Sequence, residues 1–297
     1  MDSDRSAREP LIEEVAKTVR RAGGLVDIIS YPSANRSVDL VVSAGEEKIF
    51  LKVTHDLKSI SRTEAEDLLK AEKAYSVATA VIATKNYEKE LEDDVVYYKQ
   101  NIKALTPKTL EKYLRGEKPI VASIKGNYVL KINPDRFSKK RLEHGYSRGE
   151  LARLLGVTSK AIYMYERGEM FISLEKALTL ASLLGEDIFE ELSLSKLETA
   201  STIKPCIPRD GLERLIYSLA ASLEREFLNF SKIPIDAVVK TAQPISIVKK
   251  TSNDVKEKLE NAEKIANRVR TEIVVVEGPR DLERLRKLIV RASSQQY

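Results

Sequence analysis

Ser159, Lys160 and Tyr163 fall on the outward side of a short helical pattern, Thr158 to Glu166, whose apolar residues Ile162 and Tyr165 point inward. A hydroxyl, an ammonium and a phenol in that arrangement can hydrogen-bond to base edges. A helix of about eight residues is roughly 12 Å long, close to the width of the DNA major groove. Elsewhere an aspartate and a lysine stand 13 residues apart on neighbouring strand candidates, Asp39 with Lys52, and the pair recurs as Asp236 with Lys249. By residue type alone each is an ordinary ion pair between adjacent strands.

Other chemistries have little to work with. Cys206 is the only cysteine, so no intrachain disulfide forms, and its setting, IKPCIP, gives no clear activation of a thiol. His55 and His144 lie in different segments with no cysteine or acidic cluster at zinc spacing, so neither a metal site nor a cofactor is expected.

The segments that would position the outward residues can be read locally. Ser147 and Glu150 form a capping box that starts a helix, and Tyr146 with Leu151 can staple its approach angle. Leu151, Leu154 and Leu155 make an inner face, Ala152 permits close helix contact, and Gly156 supplies the positive φ of a three-residue corner that Val157 fills. Leu151, Ala152, Ile162 and Tyr165 are core positions. Glu166-Arg167-Gly168 reads equally as a charged helix end with a glycine stop, and Lys160 has a second, weaker reading as a solvated cation. A further helix, SLEKALTLASLLG, completes the group.

Around this module the order is mixed α/β. A helix over Glu9 to Ala22 ends at Gly23-Gly24, strands SVDLVVS and KIFLKV follow, then a helix over Ala65 to Tyr75 and the strand ATAVIAT. PIVASI and YVLKI about Lys125-Gly126-Asn127 read as a hairpin. After a proline-bearing linker the plan repeats: helix GLERLIYSLAASLEREF, strands IDAVV and ISIVKKT, a helix with the triplet Ala262-Glu263-Lys264 matching Ala71-Glu72-Lys73, and strand TEIVVVE. The ordered series of matches points to two copies of one unit. The expected domains are therefore 1–118, a connecting hairpin at 119–135, a helical domain at 136–192, a linker at 193–209 and a second α/β unit at 210–297.

Residues 136–190 resemble the lambda-repressor-like (Cro/cI, XRE) helix-turn-helix family in Ser147-Arg148, Glu150-Leu151-Ala152, Gly156-Val157-Thr158, Ile162 and Glu166-Arg167-Gly168. The resemblance implies a five-helix DNA-binding domain in which Ser159, Lys160 and Tyr163 read sequence while Arg148, Thr158 and Arg167 set the protein on phosphates. Arg148 departs from the glutamine frequent there. ISYPSANRSVDLVVSAGEEKIFLKV resembles the core of archaeal Holliday-junction resolvases and the PD-(D/E)xK nucleases, over about residues 9–85. That family uses two carboxylates to hold Mg²⁺ and a lysine to position water. Asp39 and Lys52 match, as do Asp236 and Lys249 in the second copy. Phe50 and Ile247 stand where the second carboxylate belongs, so Glu14 or Glu47 would have to substitute and both units are expected to be degenerate.

A net charge of +5 on 297 residues suits a polyanionic partner, and it concentrates: eight lysines and arginines between 136 and 170 face four glutamates. With 42% hydrophobic and 32% charged residues, wholesale disorder is excluded. No apolar run is long enough to span a bilayer and the first residues lack a signal-peptide core, so the expected location is cytoplasmic with no membrane partner. Dense Lys, Arg and Glu with few Cys, Met and His fits a thermophilic archaeal source. The expectation is a non-enzymatic, sequence-specific binder of double-stranded DNA that regulates transcription as a homodimer, with α/β plus all-α architecture. An accessory protein that binds branched DNA is the alternative, and a metal-dependent nuclease is a third.

Overall fold

Helix α1 spans Asp2–Arg21, longer at its start than the apolar pattern from Glu9 required, and Leu11, Ile12, Val15 and Val19 are its buried stripe. It is followed by β1 (Leu25–Ile28), β2 (Leu40–Ala44), β3 (Glu47–Val53), α2 (Arg62–Tyr75), β4 (Ala78–Ile82) and a small hairpin, β5 (Lys85–Asn86) with β6 (Lys89–Glu90). The computed structural model describes residues 2–195, 206–250 and 254–293. They divide into two compact units, one of residues 1–90, 100–102 and 194–297, the other of 91–99 and 103–193.

The second unit begins earlier than the expected boundary at 118. It contains β7 (Val95–Lys99), β8 (Ile102–Leu105), α3 (Pro107–Leu114), β9 (Val121–Ile124) and β10 (Asn127–Leu130), then α4 (Pro134–Glu143), α5 (Arg148–Leu155), α6 (Ser159–Glu166), β11 (Ile172–Ser173) and α7 (Leu174–Leu184). The hairpin expected as a connector is part of this unit, because β9 runs parallel to β7 and β10 pairs antiparallel with both β9 and β11. Its residues Leu130 and Ile132 join Phe137, Leu151, Ile162, Tyr165 and Leu180 in one core. The helical part holds four α-helices, not five. Gly185 stops α7 at φ +90°, one 3-10 turn follows at Glu186–Ile188, and Phe189 is already extended and bridged to Ile132, which leaves no chain for a fifth helix.

After the expected linker, whose residues 196–205 lie outside the described residues, the chain returns to the first unit with α8 (Gly211–Ser222), β12 (Glu226–Asn229), β13 (Ala237–Lys240), β14 (Ile245–Lys249), α9 (Val255–Val269), β15 (Glu272–Val276) and α10 (Leu282–Ser293). The strand order β12-β13-β14-β15 has the same sense as β1-β2-β3-β4: two antiparallel pairings and then a parallel one. Among the described residues no helix is long and apolar enough to cross a membrane.

Within the first unit the strands β1–β4 and the sheet β12–β15 are joined through helices of both sets. Asp67 on α2 accepts from the backbone amides of Ser231 (3.0 Å) and Lys232 (2.8 Å) and from the Ser37 hydroxyl. Lys70 on the same helix donates to the Asn229 carbonyl. In return, Asn261 on α9 accepts from the Ser30 amide at 2.7 Å, Lys264 donates to the Ile28 carbonyl, and Arg268 pairs with Asp27. The helix that follows β3 thus completes hydrogen bonding at and just after β12, and the helix that follows β14 does so at and just after β1. Asp67→Ala leaves two amides at a buried seam without their acceptor. It should cost about 3 kcal/mol in urea unfolding, with Asp67→Asn costing less because one oxygen survives; equal losses would show that the amides are not what matters there.

Candidate nucleic-acid interface and the buried acid clusters

The helical corner forms as its local chemistry requires. The Ser147 hydroxyl accepts from the Glu150 amide while Glu150 accepts from the Ser147 amide at 2.8 Å, which starts α5. Gly156 ends it at φ +61°, the left-handed region where a side chain is disfavoured. The Val157 amide returns to the Ala152 carbonyl, and Thr158 caps α6 by accepting from the Ala161 amide. Ile162 and Tyr165 are buried, so the opposite side of α6 faces solvent.

Ser159 and Lys160 lie there, exposed, and Lys160 has no ion-pair partner among the described residues. Tyr163 is 44% exposed and sits between two guanidinium groups, Arg148 at 5.4 Å and Arg167 at 5.7 Å from its ring centre. Arg148 donates to Glu166 at 2.5 Å, and Arg167 donates to Glu169 and to the Tyr163 hydroxyl. The six residues singled out from sequence, Arg148, Thr158, Ser159, Lys160, Tyr163 and Arg167, therefore come together at α6 and the start of α5. Three of them are already engaged, since Thr158 spends its oxygen on a cap, Arg148 is held by Glu166 and Arg167 by Glu169.

Sequence reasoning missed the first of these acids. The Glu166 side chain is 6% exposed and accepts from Arg148 on α5 and from Arg141 on α4 at 2.7 Å, while Arg141 also donates to the Tyr146 carbonyl. Glu166 had read only as part of a charged helix end. The only signal for its role was an acid on the inward side of α6 with arginines on two other helices.

The nuclease-like positions form two other clusters. Asp39, fully buried just before β2, accepts from Arg8, from Arg36 at 2.7 Å and from the Val53 amide at 2.7 Å, with Lys52 3.6 Å away. Lys52 donates to the Arg36 carbonyl and pairs with Glu64 at 3.0 Å; burial lowers its pKa despite these acids. Phe50 is buried against Tyr75, with ring centres 5.8 Å apart. Glu14 and Glu47 do not join Asp39 in any cluster, and among the described residues no three His, Cys, Asp or Glu side chains are gathered so as to hold a metal ion. The residues do not fit the Mg²⁺ of the nuclease family, because the oxygens that would ligate it are already taken by two arginines, an amide and a lysine.

The second cluster corrects the expected equivalence of Lys52 and Lys249. The Asp39 amide donates to Leu51 and Asp39 accepts from the Val53 amide; the Asp236 amide donates to Ile247 and Asp236 accepts from the Lys249 amide. Lys249 thus occupies the position of Val53, one residue beyond that of Lys52, because the stretch from Asp236 to its paired position on β14 is one residue shorter than that from Asp39 to its paired position on β3. A one-residue offset turns a strand side chain to the other face. Lys52 accordingly meets Glu64 of α2, whereas Lys249 meets Asp210 and Glu213 at α8, and Asp236 is paired instead by Lys258.

Comparison with known proteins matches two family models: a PD-(D/E)XK superfamily domain over residues 8–119 and a helix-turn-helix over residues 138–190. A protein of Thermococcus gammatolerans named "Putative HTH-type transcriptional regulatory protein" is 32% identical, over 78% of this chain and 73% of its own length. A protein of the same description from Thermococcus kodakarensis is 33% identical, over 78% and 72%. One from Saccharolobus solfataricus is 31% identical, over 90% and 86%. No solved structure matches the chain.

Glu213 gives the buried clusters a pH signature. Burial alone raises a carboxyl pKa, but hydrogen bonds from Arg209, Lys249 and Asn229 outweigh it and bring Glu213 from 4.5 down to about 2. The folded value is below the unfolded one, so the stabilisation is complete above the unfolded value and disappears as pH falls from 4.5 through 2. Glu213→Gln should be less stable at neutral pH and lose less stability on acidification, measured by urea unfolding at a series of pH values. Parallel acid limbs in the two proteins would refute this assignment.

Proposed function

Because the chain belongs to this family of archaeal HTH-type transcriptional regulatory proteins, we propose that it regulates transcription by binding double-stranded DNA at specific sequences through α6. The observation that carries the reading is the exposed edge of α6 held on a fully buried inner face. In this reading Ser159, Lys160 and Tyr163 contact base edges in the major groove. Arg148, Thr158 and Arg167 set the register on phosphates: Glu166 aims the first, and the hydroxyl proton of the second remains free to donate while its oxygen caps the helix.

Each chain carries one such helix. Recognition of a palindrome therefore calls for a homodimer, with half-sites roughly 34–36 Å apart. The α/β body, including residues 210–293 as a second copy of the nuclease-like unit, is proposed to be non-catalytic and to support dimerisation and DNA binding. The repeated strand order and the engaged carboxylates of Asp39 and Asp236 favour this. The match of residues 8–119 to nuclease-superfamily domains favours a second reading, an accessory protein that binds branched DNA.

Selection of bound sequences from a random duplex pool, followed by competition binding, tests these readings. Lys160→Ala should change which sequences are preferred, at about 1–3 kcal/mol for the favoured site, whereas Arg148→Ala should weaken all sequences alike and reduce the salt slope. Identical losses across all sequences for both variants would refute the division of roles. A marked preference for four-way junctions over linear duplex would replace regulation with the second reading. Magnesium-dependent cleavage abolished by Asp39→Ala would overturn the non-catalytic assignment, and a monomer by light scattering on DNA would overturn the dimer.

A further inference from the structure

We infer that the solvent face of α10 is a second DNA-contacting surface, one that grips the phosphate backbone irrespective of sequence; this rests on the DNA-binding function proposed above. Residues 279–293 hold five cations (Arg280, Arg284, Arg286, Lys287 and Arg291) against two acids (Asp281 and Glu283), a net +3 within a chain whose total is +5. All five cations are exposed, and none forms an ion pair among the described residues. At 100° per residue, Arg284, Lys287 and Arg291 lie within an arc of about 60° on the side away from the buried Leu285 and Ile289.

The charge is sorted between helices of the same α/β copy. The exposed positions of α9 include Glu257, Glu260 and Glu263 with the single cation Lys256. A solvated helix usually balances its signs, whereas α10 sets one exposed acid, Glu283, against the four cations Arg284, Arg286, Lys287 and Arg291. From Arg284 to Arg291 the helix rises about 10 Å, which matches the axial length of about three phosphates on one strand. An unpaired cation on a helix keeps its charge available, so neutralising a phosphate releases condensed counterions without first breaking an internal ion pair. That is a backbone grip, since no aromatic or amide side chain stands among these cations to read a base.

The test measures affinity of the full chain for a fluorescein-labelled duplex of mixed sequence by anisotropy over a range of salt concentrations. Replacing Arg284, Lys287 and Arg291 together by alanine should reduce the slope of log affinity against log salt by about 3, at 0.9 per lost phosphate contact. The ratio of specific to mixed-sequence affinity should stay the same. Should the triple variant fail to fold, Arg284→Gln, Lys287→Gln and Arg291→Gln singly should each lower the slope by about 0.9, and Arg284→Lys with Arg291→Lys should leave it unchanged. Wild-type slope and affinity in the neutralised variants would overturn this surface while leaving the role of α6 intact. No binding of wild type to any duplex would overturn both. Binding to phosphatidylserine vesicles in preference to duplex would identify α10 as a membrane surface and overturn the inference.

Discussion

A carboxylate at the end of a helix faces the negative pole of the helix dipole and is unfavourable there unless cations compensate. Glu166 closes α6 in that situation and is buried besides. Arg141 from α4 and Arg148 from α5 compensate it, so a single acid ties three helices at the point where they converge. Breaking one partner of such a buried set typically costs several kcal/mol, because the remaining charge is stranded. The same acid orients Arg148 against the face of Tyr163, which in turn lies against Arg167. The outward chemistry of α6 therefore depends on an inward ion pair.

Residues 8–119 match a PD-(D/E)XK superfamily domain, and the polar interior of the first unit is organised by charge balance. Asp39 has its oxygens occupied, Glu213 is held far toward the ionised form, and Lys52 is pushed the opposite way by burial. Each cluster matches acids with arginines and lysines from more than one element. A carboxylate so surrounded contributes to stability and has little free capacity for a divalent ion, which needs several open oxygen ligands at once.

What could be read in the sequence was local. The Ser147–Glu150 box, the Gly156 corner and the Lys125-Gly126 hairpin depend on residues three or four apart, and all three occur as expected. The strands that make up β1–β4 and β12–β15 were visible because strand composition survives as a pattern. Glu166 was not visible, since its partners are 25 and 18 residues away. Nor was the register of β14: equal spacing from Asp39 to Lys52 and from Asp236 to Lys249 hid a pairing shifted by one residue, which exchanges one face for the other. The hairpin near residue 125 was recognised, but not its membership of the second unit, because that is decided by pairing with β7.

The reciprocal fit of α2 and α9 places, within one polypeptide, an arrangement that symmetric proteins commonly make from two chains. Its two halves are always present at a fixed, high effective concentration. Dilution cannot separate them, and no related chain can exchange into the pair. The clusters around Asp39 and Asp236 are unlike within that arrangement: one strand order carries two different settlements of buried charge.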